Sequence, residues 1–154
     1  MNLHDDREAF DELLIGAANE LAIPTDIIEK DYYVTIALKK LSEKLEDMVF
    51  KGGTSLTKCY QLLNRFSEDI DISYTAESGI PGEARKKQLK KAVVAVMDEL
   101  GFPITNIDKT RSRRNYNCYR ASYPSIYEKT NYLNQNLLWK HMWHCCRSQQ
   151  HEEL

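Results

Sequence analysis

The sequence lacks a long apolar run, contains little proline and glycine, and has no spaced set of cysteines. No apolar stretch approaches the roughly 20 residues of a membrane-spanning helix, so we expect no membrane anchor. Four cysteines without regular spacing in 154 residues indicate reduced thiols rather than a disulfide scaffold. The N-terminus is polar and acidic, unlike a signal peptide. These absences predict one soluble cytoplasmic domain, long enough to bury a core.

Charge is distributed unevenly along the chain. Residues 1–80 carry 8 basic and 16 acidic side chains, whereas residues 81–154 carry 13 basic and 7 acidic ones. The two parts therefore have net charges of −8 and +6, although the whole chain carries only −2. A basic C-terminal half favours a polyanionic partner, and a solvated surface is the plain alternative.

Two of the six glycines stand together directly after a short apolar run, residues 48–50. The run is typical of a buried strand, and Gly52-Gly53 permits backbone angles that are closed to other residues. Thr54 and Ser55 are suitable caps for a following helix, whose first N–H groups attract anions, typically phosphate. The pattern predicts a strand, a glycine turn and a phosphate-binding helix start, although a glycine pair is more often a simple turn.

Two aspartates and two isoleucines alternate in the next predicted strand. Side chains alternate between the faces of a strand, so Asp69 and Asp71 are expected on one face and Ile70 and Ile72 on the other. Like charges on one face repel, and the pair makes most sense around a hard divalent cation, which takes oxygen ligands. A solvated face is the alternative. A P-loop is excluded because no Gly-Lys-Ser/Thr follows the first glycine at the required spacing.

Taken together, these residues indicate metal-assisted phosphoryl or nucleotidyl transfer. They also resemble a known family. Lys51-Gly-Gly-Thr-Ser-Leu56, with Arg65-Phe-Ser-Glu-Asp-Ile-Asp-Ile72, is similar to the AbiEii/AbiGii toxin family of nucleotidyltransferases. This family belongs to the DNA polymerase β-like superfamily and is associated with abortive phage infection and type IV toxin–antitoxin pairs. The similarity extends upstream to Ile28-Glu-Lys-Asp-Tyr-Tyr-Val34 and downstream to about Tyr123.

The resemblance implies a fold, a cofactor and partners. The fold would be α/β, a polymerase β-like nucleotidyltransferase core with a small mixed sheet and packed helices. The reaction would be Mg²⁺-dependent transfer of a nucleoside monophosphate from an NTP to an acceptor hydroxyl, with RNA or tRNA favoured as acceptor and a cognate antitoxin as partner. By the resemblance, Asp69 and Asp71 would bind Mg²⁺ and act in catalysis, and the nucleotide would be held by Lys51, Gly52, Gly53, Thr54, Ser55, Lys58 and Lys30.

Apolar residues at helical spacing flank this central unit. Thr25 or Asp26 is a suitable cap for the second of the resulting helices, in which Glu29-Lys30-Asp31 could form an exposed turn. Tyrosines give residues 115–123 strand character, and Pro124 ends that stretch. We predict a nucleotidyltransferase core over residues 1–130, made of helices 6–21, 27–44 and 83–100 and a strand–turn–helix–strand unit over residues 48–73.

The helix predicted over residues 83–100 has a strongly basic face opposite its apolar one. Such a face is either solvated or a contact for nucleic acid. Its members are Arg85, Lys86, Lys87, Lys90 and Lys91.

The C-terminal segment does not fit the rest. Polymerase β-like sites generally use a third carboxylate on a strand beside the first pair, but residues 138–154 show no strand or helix period. When the codons are read one base earlier, the last base of the Trp139 codon and the first two bases of the Lys140 codon encode Glu. The following codons encode Ala or Thr, then Tyr or His, and then Val-Ala-Leu-Leu. We therefore predict an aberrant tail over residues 131–154, produced by a frameshift or simply disordered, and a C-terminally truncated core.

Other functions remain as alternatives. Without a third carboxylate, the chain would be an inactive remnant that binds nucleotide or a partner. An antibiotic-type nucleotidyltransferase shares the glycine–carboxylate pattern and would use a small-molecule acceptor. Zinc is a weak alternative for the tail, because its adjacent cysteines lack a second Cys-x-x-Cys pair. The ligands would be His141, His144, Cys145 and Cys146.

Overall fold

The structure, a computed structural model, describes residues 2–45, 48–53, 55, 69–74, 82–109, 111–113, 116–127 and 136–142. The predicted α/β fold with a small mixed sheet and packed helices is confirmed. None of the helices in these ranges has the length and hydropathy needed to cross a membrane. The long helices are α1 (Arg7–Leu21), α2 (Thr25–Lys44) and α3 (Gly82–Glu99), and the strands are β1 (Met48–Lys51), β2 (Asp69–Tyr74), β3 (Arg111–Arg113), β4 (Tyr116–Ser122) and β5 (Asn136–Met142).

The helix starts follow from local hydrogen bonding. The Asp6 side chain accepts a hydrogen bond from the Ala9 N–H at 3.1 Å, so Asp6 caps α1 instead of belonging to it. α2 begins two residues before its predicted start, with Pro24 as its N-cap. The expected cap at Thr25 or Asp26 was therefore wrong. The Pro24 carbonyl accepts from the N–H groups of residues 27 and 28, so the helical pattern already begins at Thr25.

The five strands form one sheet in the order β1-β2-β5-β4-β3. β5 pairs in parallel with β2, and the other neighbouring strands are antiparallel. Residues that pair in register across neighbouring strands lie on the same face of the sheet. Ile72 pairs with His141, which pairs with Asn117, so these three share the face that also carries Ile70 and Tyr119.

The helices cover that face. Ile70 and Ile72 are 0% and 2% exposed, as the alternation in β2 predicted. They belong to one buried cluster with residues of α1, α2, α3 and β4, including Phe10, Tyr33 and Tyr119. Burying one large apolar side chain contributes about 1.5–3 kcal/mol. This cluster fixes β2 in the sheet, so the opposite face of β2 has a rigid support.

Strand β5 extends into the segment where the sequence analysis found no strand period, and that interpretation was wrong for residues 138–142. The segment contains Leu137, Leu138 and Trp139 in succession, which breaks the alternation expected of a strand with one solvated face. β5 is an interior strand that pairs with β2 on one side and β4 on the other, so backbone pairing with two neighbours forms it although its apolar residues do not alternate. The origin of residues 131–154 by frameshift stays a prediction.

Two charged side chains expected at the surface are buried. Glu29 is 1% exposed and Arg85 is 5% exposed. Arg85 precedes Leu89 by four residues, so it lies on the apolar side of α3 and not on the basic face to which it was assigned. Three lysines of that face, Lys87, Lys90 and Lys91, are exposed as predicted.

Glu29 ties α2 to the chain that follows β4. Its carboxylate accepts hydrogen bonds from the Ser125 hydroxyl at 2.5 Å and from the Ile126 N–H at 2.8 Å. One turn later, the Tyr33 hydroxyl donates to the Pro124 carbonyl at 2.9 Å. Burial raises the pKa of Glu29, and the two hydrogen bonds offset part of that effect. The shape of this junction therefore depends on a buried acid.

Glu29→Ala should lower the free energy of unfolding by about 1–3 kcal/mol relative to Glu29→Gln, because alanine leaves the Ile126 N–H without its acceptor.

The pKa of Glu29 is raised in the folded state, so the stability linked to its protonation is present below pH 4.5 and is lost as pH rises through the folded value. Glu29→Gln should remove that loss. Urea unfolding at several pH values measures both effects, and an identical pH slope in wild type and Glu29→Gln would contradict the assignment.

Candidate functional site

The antiparallel pair of β1 and β2 positions the candidate site. In this register Phe50 pairs with Ile72, and Lys51 pairs with Asp71. Directly opposite side chains in such a pair have Cβ atoms about 4.5–5.5 Å apart, so the last residue of β1 lies beside the second aspartate. Ile72 faces the core, so Asp71 and Lys51 lie on the other face of the sheet.

Gly52 lies against the carboxylate of Asp71. Its φ is +76°, a left-handed conformation that favours glycine. A Cβ atom built on Gly52 would overlap Oδ2 of Asp71 and lie 3.1 Å from its Cγ atom. Both the backbone angle and the available space therefore require glycine, and the structure brings the glycine turn and the aspartate strand into direct contact.

The turn after β1 begins earlier than the capping residues predicted. Gly52, Gly53 and Ser55 are already helical, so Ser55 lies inside the first turn and not before it. The Ser55 hydroxyl donates to the Gly52 carbonyl at 3.1 Å, and Ser55 is 6% exposed. This bond fixes the turn that lies against Asp71. Thr54 and Lys58 lie outside the described residues.

Asp69 and Asp71 occupy alternate positions of β2 and therefore share one face of the sheet, as predicted. On the side away from β1, Asp69 pairs with Leu138 of β5 and Asp71 pairs with Lys140. Asp71 thus lies between two lysine positions, Lys51 on β1 and Lys140 on β5. In the described part of the chain, no three His, Cys, Asp or Glu residues are grouped so that they could hold a metal ion.

These residues fit a hard divalent cation in ligand type. Two aspartates on one face of β2 provide oxygen ligands, and glycine at position 52 leaves room for the Asp71 carboxylate, whose Oδ2 atom lies where a Cβ atom would be. The neighbouring position on β5 is Lys140 and not a third acidic residue. Asp69 and Asp71 are therefore the residues that would hold a cation, with Lys140 at the neighbouring position of β5, and this assignment stays a prediction.

Lys30 lies in α2 next to Glu29, in the turn that is bonded to residues 125 and 126. Its side chain is half-buried. Its contact with a nucleotide phosphate stays a prediction, as does that of Lys51.

Basic positions continue across the carboxylate face beyond β5. Lys140 pairs with Cys118, which pairs with Arg111, so these positions share a face with Asp71. Arg120 pairs with Leu138, the neighbour of Asp69, and its side chain is exposed. The sequence analysis missed Lys140 and Arg120 as neighbours of the aspartates, because their proximity depends on the strand order and no local pattern indicates it.

Comparison with known protein families gives one match. Residues 36–138, about two-thirds of the chain, match the family described as nucleotidyl transferase AbiEii toxin, Type IV TA system. The match includes β1, the glycine turn, β2, α3 and β4, and ends within β5. Neither a curated protein nor a solved structure matches the chain.

Gly52→Ala should destabilise the chain more than Gly101→Ala, which is the matched control. Gly101 also has a positive φ, +70°, but nothing lies within 4 Å of an added Cβ atom there. The control should cost about 1–2 kcal/mol for the backbone angle alone. Gly52→Ala should cost about 1–3 kcal/mol more, because the methyl group displaces the Asp71 carboxylate. Urea unfolding measures the difference, and equal losses would show that Asp71 does not lie against Gly52.

Proposed function

The chain belongs to the AbiEii nucleotidyl transferase toxin family of Type IV toxin–antitoxin systems, and we propose that it transfers a nucleoside monophosphate from an NTP to RNA. The observation that carries this proposal is the contact of the Gly52 turn with Asp71. A site for nucleotidyl transfer needs a phosphate-binding turn and an acidic group within reach of the same phosphate. The contact supports both parts of such a site.

The residues have the following proposed roles. The turn formed by Gly52, Gly53 and Ser55 presents main-chain N–H groups to the triphosphate, and Lys51 adds positive charge beside it. Asp69 and Asp71 would hold Mg²⁺, which when bound neutralises phosphate charge and lowers the pKa of the attacking hydroxyl. The acceptor oxygen forms a bond to the α-phosphorus, the bond to pyrophosphate breaks, and the hydroxyl proton passes to solvent.

RNA is the acceptor that the charge of the carboxylate face favours. Arg120 is exposed on that face, and Arg111 and Arg113 lie at the edge of the same sheet, on β3. Backbone phosphates bind such arginines without regard to sequence. An RNA acceptor such as tRNA would place several phosphates at these arginines, whereas a small-molecule acceptor would contact few of them. We expect the reaction in the cytoplasm, where NTP and RNA occur, and an antitoxin that limits it.

Asp71→Asn should abolish transfer of label from an NTP to RNA, whereas Asp98→Asn should leave it unchanged. Both substitutions replace a carboxylate by an amide, but Asp98 is an exposed residue of α3. An amide at position 71 is a weak ligand for Mg²⁺, so we expect at least about a 100-fold loss, on the scale of a lost charge-stabilising group. The full chain is incubated with Mg²⁺, each α-labelled NTP and total cellular RNA, and with a small-molecule hydroxyl acceptor in parallel. Full activity of Asp71→Asn would contradict the proposed site.

The second candidate function is a remnant that binds nucleotide without turnover, and Lys140 is the observation that favours it. The register places Lys140 beside Asp71, where a cation held by the aspartates would meet another positive charge. In the adjacent reading frame, a Glu codon spans the codons of residues 139 and 140. These two residues pair with Ile70 and Asp71. The family match ends at Leu138, directly before these codons. These three facts support a lost third carboxylate at this position.

Lys140→Glu should therefore raise both the affinity for Mg²⁺ and the rate of transfer, and Lys140→Gln is its matched control. Glutamine removes the positive charge but adds no anionic ligand, so it should give a smaller gain. We expect about a 10-fold higher rate for glutamate than for glutamine, or about 1.4 kcal/mol. Mn²⁺ titration followed by paramagnetic broadening measures affinity separately from turnover. Equal behaviour of the two variants would show that position 140 is not a ligand position.

A further inference from the structure

A cavity of about 630 Å³ lies between the N-terminal half of α3 and strand β4. The α3 residues that line it, Lys86, Lys87 and Lys90, recur at helical spacing, so they form one stripe of positive charge at its mouth. Glu83 and Asp108 also line it, which leaves a net charge of +1. The cavity is within the 300–1,000 Å³ typical of small-molecule sites and is larger than a single phosphate needs.

This cavity is separate from the site of the aspartates. Asn117 and Tyr119 line it from β4. Asn117 pairs with His141, which pairs with Ile72, so these β4 residues lie on the helix-covered face of the sheet. Asp71 lies on the opposite face. A ligand in the cavity could not reach the carboxylates without crossing the sheet.

The floor of the cavity contains buried polar groups. Asn117 is 4% exposed and Tyr119 is 2% exposed. Among the described residues, the Tyr119 hydroxyl has no hydrogen bond of good geometry, although the nearby Asn117 side chain offsets part of the rise that burial causes in its pKa. A buried hydroxyl without a partner costs about 1–3 kcal/mol, and a ligand that bonds to it recovers part of that cost. Native structures rarely leave such a group unsatisfied without a reason.

We propose that this cavity is a second binding site, which takes one phosphate-bearing nucleotide unit. The phosphate lies at the stripe of Lys86, Lys87 and Lys90, where each ammonium group donates to phosphate oxygens. The rest of the ligand fills the cavity between Ala84 and Ile107, which form its apolar walls. Its polar edge meets Tyr119 and Asn117, whose amide both donates and accepts hydrogen bonds. The unit is either a free nucleotide or one nucleotide of an RNA strand.

The experiment measures binding of AMP, adenosine, inorganic phosphate and a five-nucleotide RNA to the full chain by calorimetry in EDTA. EDTA removes divalent cations, so a site that depends on Asp69 and Asp71 does not contribute. The test variant is Lys87→Gln with Lys90→Gln. The matched control is Lys39→Gln with Lys91→Gln, which changes the same charge at exposed positions that do not line the cavity.

We expect AMP or the RNA to bind at least 10-fold more tightly than adenosine and inorganic phosphate, because both phosphate and cavity contacts contribute. The lysine test variant should weaken this binding about 10-fold or more, and the control should not. Tyr119→Phe should weaken it about 3- to 10-fold, the value of one hydrogen bond, without loss of fold stability. Binding of AMP would identify a free nucleotide as ligand, and binding of RNA alone a nucleotide within a strand.

Three results would overturn the proposal. Equal affinity of the lysine test variant and its control would show that these lysines do not bind phosphate. Inorganic phosphate that binds as tightly as AMP would show that the cavity is a simple anion site. Loss of the binding in Asp71→Asn would assign it to the carboxylate face. Because Asp71→Asn tests transfer and the lysine variant tests binding without metal, failure of one proposal is distinguishable from failure of the other.

Discussion

The whole sheet depends on the pairing of β5 with β2 and β4. β1 and β2 form one antiparallel pair, β3 and β4 form another, and β5 lies between them. The carboxylate pair belongs to the first, whereas the buried polar floor of the cavity belongs to the second. Their positions relative to each other are therefore set by the seven residues of β5. Successive positions of this strand alternate between the helix-covered face and the face of the aspartates, so one short segment takes part in both.

The sequence predicts what depends on local patterns. Alternation in residues 69–72 predicts which residues face the core, since the period of a strand is two. Few residues other than glycine tolerate a φ of +76°, so the glycine turn can be recognised from the sequence. The three long helices follow from apolar spacing, and their ends shift by one or two residues. In α2 the Pro24 carbonyl already accepts the first helical hydrogen bonds, so the helix begins at Thr25.

The sequence fails where burial depends on distant partners. Glu29 looks like a surface acid, but the Ser125 hydroxyl and the Ile126 N–H, almost a hundred residues away, offset the cost of its burial. Similarly, β5 forms without alternation because it pairs with β2 and β4, and this pairing is not visible in a local window of the sequence. The position of Lys140 beside Asp71 cannot be predicted from a local window of the sequence for the same reason. Its position follows from register, and register follows from the strand order of the whole sheet.

Charge on the carboxylate face decides between the proposed transferase and the binding remnant. Asp71 pairs in register with Lys51 on one side and with Lys140 on the other, so a lysine position adjoins it on each neighbouring strand. A divalent cation bound there must compete with the second lysine or displace it, and this opposition grows as the site loses water. Lys51 alone is compatible with a nucleotide, because it directly precedes the glycine turn that we propose binds the phosphates. We therefore propose that the residue at position 140 of β5 determines whether the site suits metal-assisted transfer or nucleotide binding alone, without any change in the glycine turn or in the fold that supports it.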